Sequence, residues 1–572
     1  MSYFVRKDHK LEAVLPFNMP APYDVSNARL SACVDGTALI KLSLSGSYDV
    51  VLPGGYYGTC GVLAPDEPDT ERNIVAYGRV QQTQFATRGI AYTTKWFCGS
   101  GEPVLYLQIS AQGETAFVLQ YHFGVQCAPE KLTVLCSAEL FLQEREGDFL
   151  HYCASAKAEA RQDTFFAELT LAFDLDHTLT QESLLSAANA ANTDAEAYFT
   201  MLLNTAKPGE DAAFKAYALN AAFSSYKSFA GFYGFFAGVD YSAPARTYYR
   251  DGYYTALAEL PYKPLWVREQ LLMLARGVAE DGTCGSAVDA KGNPWWNNHA
   301  DSPLFFALLL YAYVSATGDS DVLDEGKTAQ KLAAVLNAAA DALDENGLIP
   351  RSPASRHDWA DNVFREGYVT YIQCLAYGAL KLGGSLLPDA ARYAEAAERI
   401  KAGINRVLWN EGLGYYVNFI APGEAETNLS IDTVFAALFD IAPPERAKRM
   451  LEQMENLLET RHNGRYGEFG TLCVFPPYAS AARLVEKSAY PLRYHNGADW
   501  PYLSALYAFA KKMYGMDGSY PLTRWFEVGL LQGFATPVEY YSPFYPVGGM
   551  LQGWSAFAAF VLDHDSLNGV FR

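Results

Sequence analysis

Nowhere in the 572 residues does an apolar run approach the roughly 20 that a membrane-spanning helix needs. The opening residues, MSYFVRKDHKLEAVLPF, hold no continuous apolar stretch followed by a small-residue cleavage site, so a cytoplasmic chain without a membrane partner is expected. Cysteine is sparse and unpaired in pattern: nine residues, an odd number, scattered from Cys33 to Cys473 without a C-x-x-C pair. That excludes a disulfide framework or a cysteine zinc site and predicts buried free thiols. Positive charge is short too, with 44 Lys and Arg against 64 Asp and Glu and a net charge of −20. No basic cluster is present to meet a phosphate backbone, so nucleic acid is excluded as a partner.

What is plentiful is aromatic surface, 14% of residues, mostly 39 Tyr and 33 Phe. Such rings fill cores, and they also stack on the flat C–H faces of sugars. An acidic chain rich in rings suits a neutral sugar better than a sulfated or uronate-rich polymer. The length is beyond what a single core sustains, so two or more domains are expected.

Residues 28–175 alternate in short strand-like runs such as Ala38–Leu44, Val104–Ile109, Ala116–Phe123 and Phe165–Leu175, separated by Gly, Pro and Asp turns. This predicts an N-terminal antiparallel β-sandwich domain over residues 1–180. Residues 181–209 include the Ala-rich stretch Gln181–Leu203, read as a linker helix. From 210 to 572 the period is helical, as in Leu332, Val335, Leu336, Ala339 and Leu343 on one helix face. Turn signals recur at Glu280-Asp281-Gly282, Asn346-Gly347, Asn410-Glu411-Gly412 and Asn463-Gly464. Two-helix units repeated about six times fit this length, stacked open as a solenoid or closed as an α/α toroid.

Five loop segments gather the chemically capable residues. Arg250 and Asp251 lie side by side among four tyrosines, and Trp295, Trp296 and Asp301 precede a helix from Leu304. Asp301 reads equally as a helix-capping residue. Asp358 and Asp361 flank Trp359 ahead of a helix expected from Phe364 to Leu382. An acid beside an indole can be raised by desolvation, as a proton donor to a leaving oxygen must be. His495, Asp499 and Trp500 share the run Tyr494–Pro501, and Glu539 lies in a loop crowded with Tyr, Phe and Pro. Carboxylates on separate loops can face each other across a cavity, as cleavage of a glycosidic bond with inversion requires.

In this order the segments resemble those of the six-hairpin glycosidases: glucoamylases, the glucosidase domain of glycogen debranching enzymes, neutral invertases and α-L-rhamnosidases. The resemblance spans about residues 210–572, and its most specific part is Tyr494-His495-Asn496-Gly497 followed by Trp500-Pro501. It implies an (α/α)6 barrel behind the β-sandwich, with no metal or cofactor. It further implies Asp361 as general acid, Glu539 as general base, and a sugar site including Arg250, Asp251, Trp295, Trp296, Asp301, Asp358, Trp359, His495, Asp499 and Trp500. The expected activity is that of an inverting, exo-acting glycoside hydrolase on a neutral oligosaccharide or glycoside.

Three features depart from the relatives, the first being that Asp358 gives the third segment a second candidate acid beside Asp361, which its position favours. Tyr371 stands where they carry a Glu, and Asp499 is an added acid that binds a further hydroxyl or replaces Glu539 as base. A glycoside phosphorylase of the same barrel is the alternative enzyme, although no cation lies near Glu539 in sequence; a non-catalytic, carbohydrate-binding helical scaffold is the third reading. The sequence carries no sign of oligomeric state.

Overall fold

The computed structural model describes residues 3–16, 19–44, 61–62, 71–126, 132–146, 149–238, 241, 245–296, 299–352, 357–563 and 570–571. The N-terminal third is built of antiparallel sheets. The largest orders its strands Val5–Lys7, Lys10–Pro16, Glu71–Tyr77, Val80–Thr87, Ile90–Phe97, Val104–Gly113, Thr164–Asp174 and Thr133–Cys136. Period-two patterning fixes its faces: Arg72, Ile74 and Ala76 are buried in one strand while Glu71 and Asn73 are exposed. A second sheet runs Glu139–Glu146, Phe149–Lys157, Val118–Gln126 and Gly61–Val62. The two meet face to face where Phe123 packs edge-on against Phe173, with ring centroids 5.6 Å apart.

Helix α1 (Leu184–Leu203) follows, burying Leu184, Ala188, Ala195, Tyr198, Phe199 and Leu202 along one face. It is tied to the large sheet through Glu196, which accepts from the Tyr77 hydroxyl at 2.6 Å and from Lys95 at 3.0 Å. At its far end the Tyr198 hydroxyl donates to Asn220 on the next helix, at 2.9 Å.

Twelve helices complete the described chain: α2 (Ala212–Ser225), α3 (Tyr249–Glu259), α4 (Pro264–Gly277), α5 (Ser302–Thr317), α6 (Thr328–Asp341), α7 (Thr370–Gly378), α8 (Ala390–Gly403), α9 (Phe435–Leu438), α10 (Pro444–Leu458), α11 (Pro501–Met513), α12 (Ser519–Leu531) and α13 (Phe557–Asp563). They fall into two kinds. In α3 and α7 every residue is buried, the mark of an interior helix. In α10 only Ala447, Met450, Leu451, Met454 and Leu458 are buried, a single stripe at helical spacing. The interior helices touch in order, α3 with α5, α5 with α7, α7 with α9, α11 with the turn that opens α9, and α11 with α13. The last of them, α13, packs back on α2 and α3.

The helix expected from Phe364 begins six residues later. Gly367 takes a left-handed turn (φ 68°), and Tyr368–Val369 pairs as a short strand with Phe419–Ile420. A Cβ at Gly367 would lie 2.1 Å from the Ile420 carbonyl oxygen, so only glycine permits that approach. Residues 367–369 are thereby committed to strand and bridge pairing before α7 can start.

Candidate active site

The loops at one end of the interior helices surround a cavity of about 450 Å³. Its first wall comes from the strand Arg246–Tyr248, which runs directly into α3 and so places Arg250 and Asp251 in the first helical turn. The Arg250 guanidinium serves three carboxylates. Its Nη1 donates to Asp301 at 3.0 Å, Nη2 lies 3.7 Å from Asp361, and Nε lies 3.9 Å from Asp251. Burial pushes the Asp251 carboxyl up to about 6, with Arg250 opposing and Glu539 and Asp301 adding to the rise.

Asp301 opens α5 but makes no side-chain cap. It is fully buried beneath Arg250, and the hydroxyl of Tyr371 also donates to its Oδ2, at 2.9 Å. Tyr371, which stands where the resemblance places a carboxylate, therefore braces the aspartate that holds Arg250.

The second wall is the loop 357–361. Asp358 is fully buried, accepting from Arg351 Nη1 at 2.6 Å and Arg365 Nη2 at 2.7 Å, while its Oδ1 also accepts from the Ala360 N–H at 2.9 Å. Burial would raise it, but Arg365 and then Arg351 outweigh burial and hold it well below the usual carboxylate range. Arg365 reaches Asp432 at 2.6 Å, and the Trp359 indole N–H donates to the same Asp432 oxygen at 2.6 Å. This locks the Trp359 ring, which stands edge-on to His495 at 5.1 Å and to Trp500 at 5.9 Å.

Asp361, three residues on, has its side chain 37% open to the cavity, and its Oδ1 has no hydrogen-bond partner. The cavity is sunk in the protein, so desolvation pushes this carboxyl up to about 8; Arg250 opposes, and Asp301, Asp251 and Asp358 add to the rise. His299 also faces this acid, with Nδ1 4.0 Å from Asp361 Oδ1, and burial lowers that imidazole to about 4, leaving it neutral.

The third wall carries Glu539, whose own N–H donates to the Gly549 carbonyl at 2.8 Å. Its Oε1 accepts from the hydroxyls of Tyr494 at 3.1 Å and Tyr241 at 3.4 Å, and its Oε2 from the Gly549 N–H at 3.3 Å. A Cβ at Gly548 would meet the Glu539 side chain at 2.4 Å, which explains the glycine. Burial raises this carboxyl and Lys487 opposes that rise most. His495 stacks on Trp500 at 4.7 Å, and burial, then Arg250, pushes its imidazole well below its ordinary value.

The cavity thus gathers Arg250, Asp251, Trp296, Trp359, Asp361, His495, Trp500 and Glu539 from five separate segments of the chain. Other residues named from sequence sit elsewhere. Asp358 lies behind Trp359, caged by arginines, and does not line the cavity. Asp499 is 1% exposed and does not line the cavity; its carboxylate accepts from the Ser504 hydroxyl at 2.5 Å and the Thr471 N–H at 3.0 Å. Asp301 acts through Arg250. Trp295 pairs its backbone with Ala287, and only its neighbour Trp296 lines the cavity. Asn297 and Asn298 of the same segment lie outside the described residues.

Tyr241, His299, Asp432 and Lys487 are site or supporting residues that the sequence alone does not single out. Among the described residues one group has metal-ligand geometry, Glu455, Glu459 and His462, and it lies outside the cavity. Glu459 there is already bound by Lys511 and Arg461, each at 2.6 Å.

The family model described as amylo-alpha-1,6-glucosidase matches residues 268–528. Across the whole molecule the fold is that of a bacterial glucoamylase solved with acarbose, with a TM-score of 0.59 at 11% identity, covering 98% of this chain and 99% of that one. The helical region thus matches a glucosidase family model over part of its length, and the chain as a whole shares its fold with a glucoamylase. Weaker likenesses are to a rhamnosidase from Klebsiella oxytoca with rhamnose bound (TM-score 0.48, 13% identity, 95% of this chain and 96% of that one) and a mannosylglycerate hydrolase from Thermus thermophilus in complex with glucose (0.47, 15%, 61% and 100%). No curated protein sequence matches this chain. Among its described residues no helix is long and apolar enough to cross a membrane.

Proposed function

We propose that the chain is an inverting, exo-acting glycoside hydrolase in which Asp361 protonates the departing oxygen and Glu539 activates the attacking water. The observation that carries this reading is that both carboxyls line one cavity in contrasting settings. Asp361, pushed up to about 8 chiefly by burial, keeps a proton at neutral pH and has a side chain that lines the cavity and is partly open to it. Glu539 is held by two hydroxyls and an amide N–H, all donors suited to a carboxylate. The return of α13 to α2 and α3 supports closure of the helices into an (α/α)6 toroid with the cavity at its axis.

The substrate in this reading is a neutral oligosaccharide or glycoside. Arg250 is engaged by Asp301, Asp361 and Asp251, and His299 and His495 are neutral, which leaves these cavity groups poorly suited to an anionic sugar. Asp251 and His299 line the cavity and supply it with uncharged or hydrogen-bonding edges suited to sugar hydroxyls. The matched family's name makes α-1,6-linked glucosides such as isomaltose the first substrates to try.

On whichever glycoside is cleaved, Glu539→Gln is expected to lower turnover about 10²–10⁴-fold with the fold intact. NMR of the first-formed sugar should show the anomer opposite to that of the substrate. A retained anomer, or wild-type turnover in Glu539→Gln, contradicts the assignment.

A further inference from the structure

Glu539 is 4% exposed, and a carboxylate in such a place is costly unless a countercharge accompanies it. The groups that face it come from several elements. Tyr241, ahead of α3, and Tyr494, ahead of α11, offer hydroxyls, and Gly549 on its own loop offers an amide. None of these carries charge, and Tyr540 beside it is phenolic. Asp251 on α3 is a carboxyl whose charge works against its ionisation, and Asp361 on the acid loop is a further carboxyl lining the same cavity. Arg250 is committed to Asp301, Asp361 and Asp251. Arg493 lies instead over the rings of Tyr490 and Tyr545.

The remaining cation is Lys487. Its ammonium lies 4.7 Å over the ring of Tyr494, the residue whose hydroxyl donates to Glu539, and 6.0 Å over the ring of Tyr540. No carboxylate pairs with it among the described residues. Lys487 also lines a second cavity, of about 570 Å³, beyond the Gly548–Gly549 strip that borders Glu539.

We infer that Lys487 is a positioning residue for the base: seated across the Tyr494 ring, its ammonium is the countercharge that keeps the buried Glu539 carboxylate ionised. This rests on Glu539 being the base proposed above. A cation over an aromatic face is attracted by the ring quadrupole, and it makes the phenol a stronger donor to the carboxylate at its edge. Lys487 therefore acts without touching substrate, from the far side of the wall. Burial alone would raise Glu539, and Lys487 is the leading group against that rise.

The test is a difference infrared titration of the unliganded full-length protein, with Glu539→Gln subtracted to isolate one carboxyl. Lys487→Met should move the Glu539 midpoint upward by about one unit or more, a tenfold gain in proton affinity. Lys487→Arg should restore it, and Tyr494→Phe, which keeps the ammonium but removes the hydroxyl, should shift it by less. An unchanged midpoint in Lys487→Met overturns the inference. If that variant does not fold, Lys487→Gln is titrated by the same criterion.

Inorganic phosphate that binds the wild-type protein stoichiometrically, and is lost in Lys487→Met, would also overturn it by making the lysine an anion-binding group. Because the readout is proton affinity, failure here is distinct from retained turnover in Glu539→Gln, which would sink the base itself.

Discussion

Asp358 and Asp361 stand three residues apart on one loop, and their surroundings give them opposite charge states. Behind Trp359, Asp358 is sealed from solvent, yet Arg365 and Arg351 outweigh burial and keep it ionised. In front of Trp359, Asp361 opens onto the cavity, has one distant guanidinium at 3.7 Å and shares it with two other carboxyls, so burial dominates and the group stays protonated. The difference teaches that depth does not set the charge of a carboxyl; the number of dedicated donors does. The ionised member of the pair builds the wall, and the protonated one opens onto the cavity as the acid proposed above.

Removing the protonated member should have the largest effect. Asp361→Asn is expected to reduce turnover about 10²–10⁴-fold on any glycoside the enzyme cleaves, with circular dichroism unchanged. Breaking the other member should act on stability instead. Arg365→Met strands Asp358 and Asp432 without their shared cation, and urea unfolding should register a loss of about 3–5 kcal/mol.

The pair should also separate in pH dependence. Asp361 binds its proton more tightly folded than unfolded, so its contribution to stability falls as pH rises from about 4 to about 8. Asp361→Asn should therefore gain on the wild type across that window, measured as the difference in unfolding midpoint. Asp358 is the reverse: its contribution is present above its unfolded value and is lost only in strong acid. The smallest effect is expected from Tyr371→Phe, which deletes one hydrogen bond to Asp301 and should cost about 0.5–1.5 kcal/mol of stability.

Much of this was legible in the sequence where local pattern and chemistry coincide. Alternating residues in Val104–Gly113 and Thr164–Asp174 mark strands, and the Arg250-Asp251 pair and the loops of Asp361, Trp500 and Glu539 stand out as polar groups among rings. What was not legible depends on partners distant in the chain. Nothing around Asp358 announces that Arg365 and Arg351 would claim it, nor does Asp499 announce its bonds to Ser504 and Thr471. Lys487 lies far from Glu539 in sequence and is brought to it across the Tyr494 ring. The start of α7 was misplaced for a similar reason: the cross-chain pairing of Tyr368–Val369 with Phe419–Ile420 overrides local helical preference.

The contrast between the two aspartates can be read directly by ¹³C NMR titration of aspartate carboxyls in the unliganded protein, with Asp361→Asn and Asp358→Asn identifying the two resonances. Asp361 should titrate near pH 8, as burial beside Asp301 and Asp251 dictates, while Asp358 stays ionised throughout the range in which the protein is folded. An Asp361 resonance already ionised at about pH 5, within the ordinary range for aspartate, would contradict the account.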